Sequence, residues 1–262
     1  ATFLRKSGRC TEGLNWFHNR SSRLSNKLEK GLEMTLIAGL NIEENSAYSI
    51  STHQSLDKSS FHIAIDELKK RADELQKISK YIVADNFYAK KYFIDSVTSK
   101  SFEVITSLRS DARLRYLYEG EYNGVGRPPK YDGRVDYSDL SRFECDLTIR
   151  EGCKVYSNIV NYPQWKRQLL VVIKVNSKGH KSIYCSTDLS LSVEEVLKLY
   201  EGRFQIEFLF RDAKQHTGLG HAQVLDSNGQ EYFANASFAA LNLLRLEDRQ
   251  IALKQGMKLR DR

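Results

Sequence analysis

The stretch from Ser192 to His221, SVEEVLKLYEGRFQIEFLFRDAKQHTGLGH, constrains the fold more than any other part of the chain. Ser192 and Glu195 stand at capping-box spacing, no proline follows, and Gly218 and Gly220 read as a stop. The spacing predicts one helix across the stretch. Val193, Val196, Leu197, Phe204, Ile206, Phe208, Leu209 and Phe210 cover most of its faces. A helix apolar nearly all round belongs in a core. Tyr200, Arg203, Glu207 and Lys214 break that pattern at offsets of zero, three, seven and fourteen. At about 100° per residue they fall within roughly 60° of one another. A phenol, a guanidinium, a carboxylate and an ammonium thus form one stripe, which must face a cleft or a partner. The four-residue step from Arg203 to Glu207 equally suits a surface ion pair. Gly202 costs about 1 kcal/mol relative to alanine in a helix and points to close approach of another group to the backbone.

A chain of 262 residues can bury one large core or two modest ones. Its composition, 28% charged and 41% hydrophobic, is that of a soluble globular protein. No apolar run approaches the roughly 18 residues that span a bilayer, and no secretory signal opens the chain, so a cytoplasmic location is expected. The first residue is Ala1 rather than methionine, which reads as a fragment or a processed chain. A net charge of +7 favours a polyanionic partner. Cys10, Cys145, Cys153 and Cys185 lack zinc-ribbon spacing and are sparse for a disulfide scaffold, so reduced thiols are expected. No histidine pair has metal-ligand spacing.

Residues 1 to 31 are basic and polar, with Arg5, Lys6, Arg9, Arg20, Arg23, Lys27 and Lys30 around Trp16 and Phe17. A phosphate-facing surface and a solvated loop fit equally well. Leu32 to Ile42 and Ala47 to Thr52 read as a hairpin, and Phe61 to Lys80 as a helix. Tyr81 to Ala84 reads as a buried strand ending at Asp85, Tyr88 to Ser99 as a helix, and Phe102 to Leu108 as a strand. That alternation predicts an α/β fold, a parallel or mixed sheet with helices on its faces. Functional groups in such sheets collect at the carboxyl ends of strands, although a carboxylate there also serves as a helix N-cap. Between Asp111 and Ser190 the texture turns to β. Gly124 to Lys130 is an extended basic loop, and Glu144–Ile149, Cys153–Val160, Gln168–Val175 and Ser182–Thr187 read as strands. Glu231 to Leu246 is helical in period and should pack back on the core, and Arg245 to Arg262 is expected to fray or to be solvated.

Cleaving or joining phosphodiesters requires stabilisation of both attacking and leaving oxygens, which two divalent metals roughly 3.5–4 Å apart provide. Hard cations take carboxylate oxygens. Asp85 at a strand end and Glu207 on a buried helix suit that role, with Tyr200, Arg203 and Lys214 placed to hold phosphates. Asp188, after Ser186-Thr187, is a rival to Asp85.

Tyr200, Arg203, Glu207 and Lys214 reproduce letter for letter the YREK signature, and in this the chain resembles the DDE transposases of bacterial insertion sequences (the insertion-sequence-four family). The segment Ile82-Val83-Ala84-Asp85-Asn86-Phe87-Tyr88 is similar to the family's second aspartate strand and its following aromatic helix. The resemblance implies a ribonuclease-H-like mixed sheet flanked by helices, with residues 1–110 and 191–262 forming the core and 111–190 a β-rich insertion. It implies metal ligation by Asp85 and Glu207, two Mg²⁺ or Mn²⁺ ions, and phosphate contacts by Tyr200, Arg203 and Lys214. The partner implied is double-stranded DNA, transposon end and target, bound by a dimer in the nucleoid. The chemistry implied is nicking followed by attack of a 3′ hydroxyl on target DNA. Ala1-Thr2-Phe3-Leu4-Arg5-Lys6-Ser7-Gly8 resembles a family opening in which the first catalytic aspartate immediately precedes Ala1. On that alignment these residues bind one metal weakly and do not cleave DNA, and robust Mg²⁺-dependent nicking would overturn the expectation. A non-catalytic DNA-binding remnant is the alternative. An unrelated ribonuclease-H-like nuclease leaves Tyr200 and Lys214 unexplained. Gly126-Arg127-Pro128 is either a rigid exposed turn or, by likeness, a minor-groove hook. Trp165 is either a core residue or, by the family resemblance, a base-stacking platform.

Overall fold

Strand β3 (Leu28–Asn41) carries Leu32, Met34 and Leu36 at the two-residue period that puts side chains on one face, and all three are buried. The computed structural model describes residues 1–18, 28–122, 124, 126–147 and 152–254. In chain order, β1 (Thr2–Arg5) and β2 (Asn15–His18) precede β3, and β4 (Ser46–Gln54) follows it. Next come α1 (Ser60–Lys70), α2 (Ala72–Leu75), β5 (Tyr81–Val83), α3 (Lys91–Thr98) and β6 (Glu103–Leu108). The middle of the chain holds β7 (Arg115–Leu117), β8 (Tyr131–Arg134), β9 (Glu144–Asp146), β10 (Cys153–Tyr162), β11 (Arg167–Asn176) and β12 (Lys181–Ser186). The last elements are α4 (Val193–Gly202), α5 (Gln205–His216) and α6 (Ser227–Lys254). These elements form two compact units, residues 1–70 with 202–262, and residues 71–201.

In the first unit β3 is the spine of an antiparallel sheet, with β1 on one edge and β2 and β4 along the other. Gly31 pairs with both Arg5 and Asn15, and a Cβ there would lie 2.3 Å from the Leu4 carbonyl oxygen, so only glycine fits. The β3–β4 hairpin follows the predicted pattern, its turn closed by Asn41 Oδ1 accepting from the Glu43 and Glu44 amides at 3.1 Å. Leu4, Leu32, Met34, Leu36 and Ala47 form the core with Leu209, Phe210 and Ala213 of α5 and Ala234, Phe238 and Leu241 of α6. Residues 1–31 are not a plain loop, since they supply β1 and β2. The expected basic residues Arg20, Arg23 and Lys27 lie outside the described residues.

Of the charged tail, residues 255–262 lie outside the described residues. Over the described part helix α6 runs through Lys254, so of the two expectations the tail is mostly solvent-exposed rather than frayed. Its asparagines satisfy the unpaired backbone of β4. Asn235 accepts from the Thr52 amide at 3.0 Å and donates to the Thr52 carbonyl at 2.8 Å. Asn242 does the same for Ser49 at 3.0 and 2.9 Å, and Glu231 accepts from the Gln54 amide at 2.9 Å. Seven residues on a helix return to one face, so two asparagines at that interval cover the exposed edge as a neighbouring strand would.

In the second unit the sheet is mixed, as predicted. Strands β5 and β6 are parallel, and the remaining pairings are antiparallel in the order β5-β6-β12-β11-β10-β7-β8, with β9 on β10. The strands expected as an insertion therefore continue the sheet of β5 and β6 through the β6–β12 pairing. Helix α3 buries Phe93, Ile94 and Val97. On α4, Val196 and Leu197 pack with Ile105, Val155, Leu170 and Val172. Trp165 is buried against Tyr162, with ring centroids 5.0 Å apart, which gives it the core role of its two alternatives. Of the predicted strand Glu144–Ile149, β9 covers Glu144–Asp146, and residues 148–149 lie outside the described residues.

Three predicted helices are shorter than expected. Phe61–Lys80 is divided at Arg71, and Tyr88–Ser99 begins with a 3-10 turn at Asn86–Tyr88 before α3. The predicted helix from Ser192 is two helices, interrupted at Arg203-Phe204. All four cysteines are unbridged. Among the described residues no helix is long and apolar enough to cross a membrane.

Candidate active site

The chain turns at Arg203-Phe204, between the helix that carries Tyr200 and the helix that carries Glu207 and Lys214. Helix α4 opens on the predicted capping box. Ser192 Oγ accepts from the Glu195 amide at 3.2 Å, and Glu195 Oε2 accepts from the Ser192 amide at 2.9 Å. Those bonds hold the Glu195 carboxyl below its ordinary pKa. The helix ends at Gly202, where a Cβ would meet the Ile42 Cδ1 atom at 2.6 Å, the close approach inferred from sequence. The Ile206 amide then donates to the Arg203 carbonyl at 3.0 Å and the Glu207 amide to that of Phe204 at 2.9 Å. These i to i−3 bonds tighten the turn into a 3-10 step before α5 begins. The one continuous helix predicted to carry the four-residue stripe of roughly 60° is therefore corrected to two helices. Only Glu207 and Lys214, seven apart on α5, keep the predicted shared face. Glycine's low helix propensity together with an exposed Phe204 accounts for the interruption.

Glu207 sits in the first turn of α5, where the helix dipole favours a carboxylate, and its side chain is 59% exposed. The Arg203 guanidinium lies 3.4 Å from Glu207 Oε1 and 5.0 Å from the Phe204 ring centroid. Arg203 is 18% exposed, so the pair is more than a fully solvated contact. Lys214 is an exposed residue whose ammonium turns onto β1. It lies 3.2 Å from the Phe3 carbonyl oxygen and 3.5 Å from Thr2 Oγ1. Desolvation of the ammonium lowers its pKa below the ordinary lysine value. Helix α5 stops as predicted at Gly218, which has φ +72°, and the Leu219 amide donates back to the Ala213 carbonyl at 3.0 Å.

The second unit holds Asp85 and Tyr200. Asp85 follows β5 in extended conformation, and its Oδ1 accepts from the Phe87 amide at 3.0 Å. It therefore fills the N-cap role that the sequence left open. The buried Thr106 hydroxyl donates to the Asp85 carbonyl at 3.1 Å. One residue further along β6, Ser107 Oγ accepts from the Tyr200 hydroxyl at 2.9 Å. Tyr200 also packs on Tyr184, with centroids 4.7 Å apart. Asp85 and the Tyr200 hydroxyl thus sit along the same carboxyl edge of the parallel pair β5–β6.

Asp188 is elsewhere. Strand β12 runs antiparallel to β6, so its carboxyl end lies at the amino end of β5. There Asp188 Oδ2 accepts from Lys80 Nζ at 2.9 Å and the Tyr81 hydroxyl at 3.0 Å. Its Oδ1 accepts from the Ser190 amide at 2.9 Å and hydroxyl at 2.6 Å. The Lys80 ammonium and the Ser190 donors hold its carboxyl far below the usual range. This aspartate is bound into the structure on both oxygens. The Asp-x-Ser spacing, which suits an Asx-type turn, was the available sequence signal.

Carboxylate oxygens are the donors that Mg²⁺ and Mn²⁺ take, and Asp85 and Glu207, each partly accessible, have that chemistry. Among the described residues no three His, Cys, Asp or Glu side chains cluster as a metal site by themselves. The comparison with curated proteins finds no match. A family profile described as Transposase DDE domain matches residues 19–243, which takes in Asp85, Tyr200, Arg203, Glu207 and Lys214. With most of its length inside that match, the chain belongs to the transposase DDE domain family.

Proposed function

We propose that the chain is the catalytic core of a DNA transposase with the YREK arrangement. In this reading residues 1–110 and 191–262 supply the ribonuclease-H-like core and 111–190 the β-rich insertion, whose strands extend the β5–β6 sheet. The family match over residues 19–243 carries the proposal. Asp85 and Glu207 would hold divalent ions, Mg²⁺ or Mn²⁺, two in the working enzyme. Bound there, such ions would activate the attacking oxygen and stabilise the leaving one.

The chain's own groups then have separable tasks. Glu207 presents an exposed carboxylate, and Arg203 beside it supplies a planar donor fork for a non-bridging phosphate oxygen. Lys214, its charge partly desolvated at β1, adds a compact positive charge on the face that Glu207 occupies. The Tyr200 hydroxyl, now donated to Ser107, can turn to a phosphate at little cost, since one neutral hydrogen bond replaces another. The reaction is hydrolytic nicking at the transposon end and in-line attack of the freed 3′ hydroxyl on target DNA. A dimer bound to duplex DNA in the nucleoid fits this role.

The alternative, a DNA-binding remnant without catalysis, is favoured by the engagement of both carboxylates within the protein, Asp85 as an N-cap and Glu207 with Arg203. Titration of the chain with Mn²⁺, followed by calorimetry, separates the two. The catalytic reading expects binding that either Asp85→Ala or Glu207→Ala weakens by about 100-fold or more. Binding unchanged by both substitutions would sink the assignment of these residues as ligands.

A further inference from the structure

The β7–β8 hairpin carries a feature that the catalytic reading does not use. Arg115 of β7 lies directly opposite Arg134 of β8 in the antiparallel register. Like charges directly opposite each other destabilise a strand pair. A register irregularity between Arg115 and Leu117 brings Tyr131 to the same side, where the Arg115 guanidinium stands 5.7 Å from the Tyr131 ring centroid. All of β8 is exposed at the sheet's edge. The acidic residue of that strand, Asp132, is paired with Arg142 at 3.0 Å.

The loop that enters β8 is Gly126-Arg127-Pro128-Pro129-Lys130, exposed throughout. Gly126 has φ +77°, with nothing within 4 Å of a Cβ position, and its carbonyl accepts from the Tyr122 hydroxyl. The two prolines hold the following backbone extended, and the Lys130 carbonyl rejoins the ladder by accepting from the Tyr118 amide at 3.2 Å. An exposed basic segment therefore runs into the hairpin between two anchored points, the Gly126 and Lys130 carbonyls. Edge protection alone explains charges on β8. It does not explain an arginine between glycine and proline or the facing Arg115 and Arg134.

We propose that this hairpin is a DNA-binding element that places Arg127 in the minor groove of A·T-rich duplex, with Arg115, Lys130 and Arg134 on the flanking phosphates. An extended backbone without bulky flanks fits a narrow groove, and the A·T groove has the enhanced negative potential that draws arginine. Phosphate oxygens relieve the Arg115–Arg134 repulsion. The inference rests on the proposed DNA-transposase function for its choice of polyanion.

The test measures binding of the 262-residue chain to A·T-rich and G·C-rich duplexes by fluorescence anisotropy at several salt concentrations. The wild type should prefer the A·T-rich duplex. Arg127→Ala with Lys130→Ala should weaken that complex by about tenfold or more and flatten its salt slope by about 0.9 for each phosphate left without its cation. Arg127→Lys, which keeps the charge, should narrow the A·T preference with little change on the G·C-rich duplex. Circular dichroism checks that each variant folds. Variants that bind both duplexes like the wild type overturn the hairpin proposal and leave the transposase reading standing. A wild type that binds neither duplex overturns both. A loss equal on the two duplexes overturns the minor-groove placement.

Discussion

Two strand ends of one sheet each close on an aspartate, and they are built for opposite purposes. After β5, Asp85 gives one oxygen to the Phe87 amide. After β12, Asp188 receives four donors on its two oxygens, from Lys80, Tyr81 and the amide and hydroxyl of Ser190. Direction explains the contrast. Strands β5 and β6 are parallel and β12 opposes them, so the two carboxylates lie at opposite edges of the sheet. Asp188 meets the residues that enter β5, whereas Asp85 shares its edge with Ser107 and the Tyr200 hydroxyl. A carboxylate saturated by protein donors has little left for a metal. One serving as a cap still has an oxygen to offer.

The largest expected effect bears directly on that contrast. Asp85→Ala should weaken Mn²⁺ binding by about 100-fold, while Asp188→Ala should leave it within about twofold, as read by electron paramagnetic resonance of unbound Mn²⁺. The reverse ranking would break the comparison. Stability should rank them the other way. Asp188→Ala removes charge-assisted bonds and is expected to cost about 2–3 kcal/mol, against about 1 kcal/mol for loss of the Asp85 cap, both from urea denaturation.

Acid sharpens the contrast further. The folded-state pKa of Asp188 is depressed, chiefly by Lys80 and then by Ser190. Its contribution is fully present above the unfolded value of about 3.9 and is lost as pH falls below that value toward the folded one. Asp188→Asn should therefore unfold with a shallower dependence on pH below about 4 than the wild type. An acid limb of unchanged slope would show that the Lys80–Asp188 ion pair is not maintained in solution. The smallest expected effect is at the Asp85 edge. Tyr200→Phe removes the half-buried hydroxyl bond to Ser107 and should cost about 1 kcal/mol in thermal unfolding, with the packing on Tyr184 kept.

Local chemistry was legible wherever a residue's partner lies a few positions away. The Ser192–Glu195 capping box, the β3–β4 hairpin and the Gly218 stop all follow from short-range rules. The interruption after Gly202 was marked by the glycine, yet apolar periodicity runs through it unchanged, because a 3-10 step alters the phase of the face without altering composition. The bonds of Asn235 and Asn242 to β4 leave no mark in the sequence, because a polar residue on a helix looks the same whether it meets water or a strand edge.

The sequence by itself determined where most helices and strands lie, the apolar faces that form each core, and the spacing of Tyr200, Arg203, Glu207 and Lys214, since propensity, period and capping are local properties. The tertiary structure alone decided strand direction, and with it the sheet edge at which each carboxylate stands. Parallel and antiparallel pairing draw on the same backbone groups and the same side-chain alternation. Only the partner strand, distant along the chain, makes one aspartate part of the scaffold and presents the other at the edge shared with Tyr200.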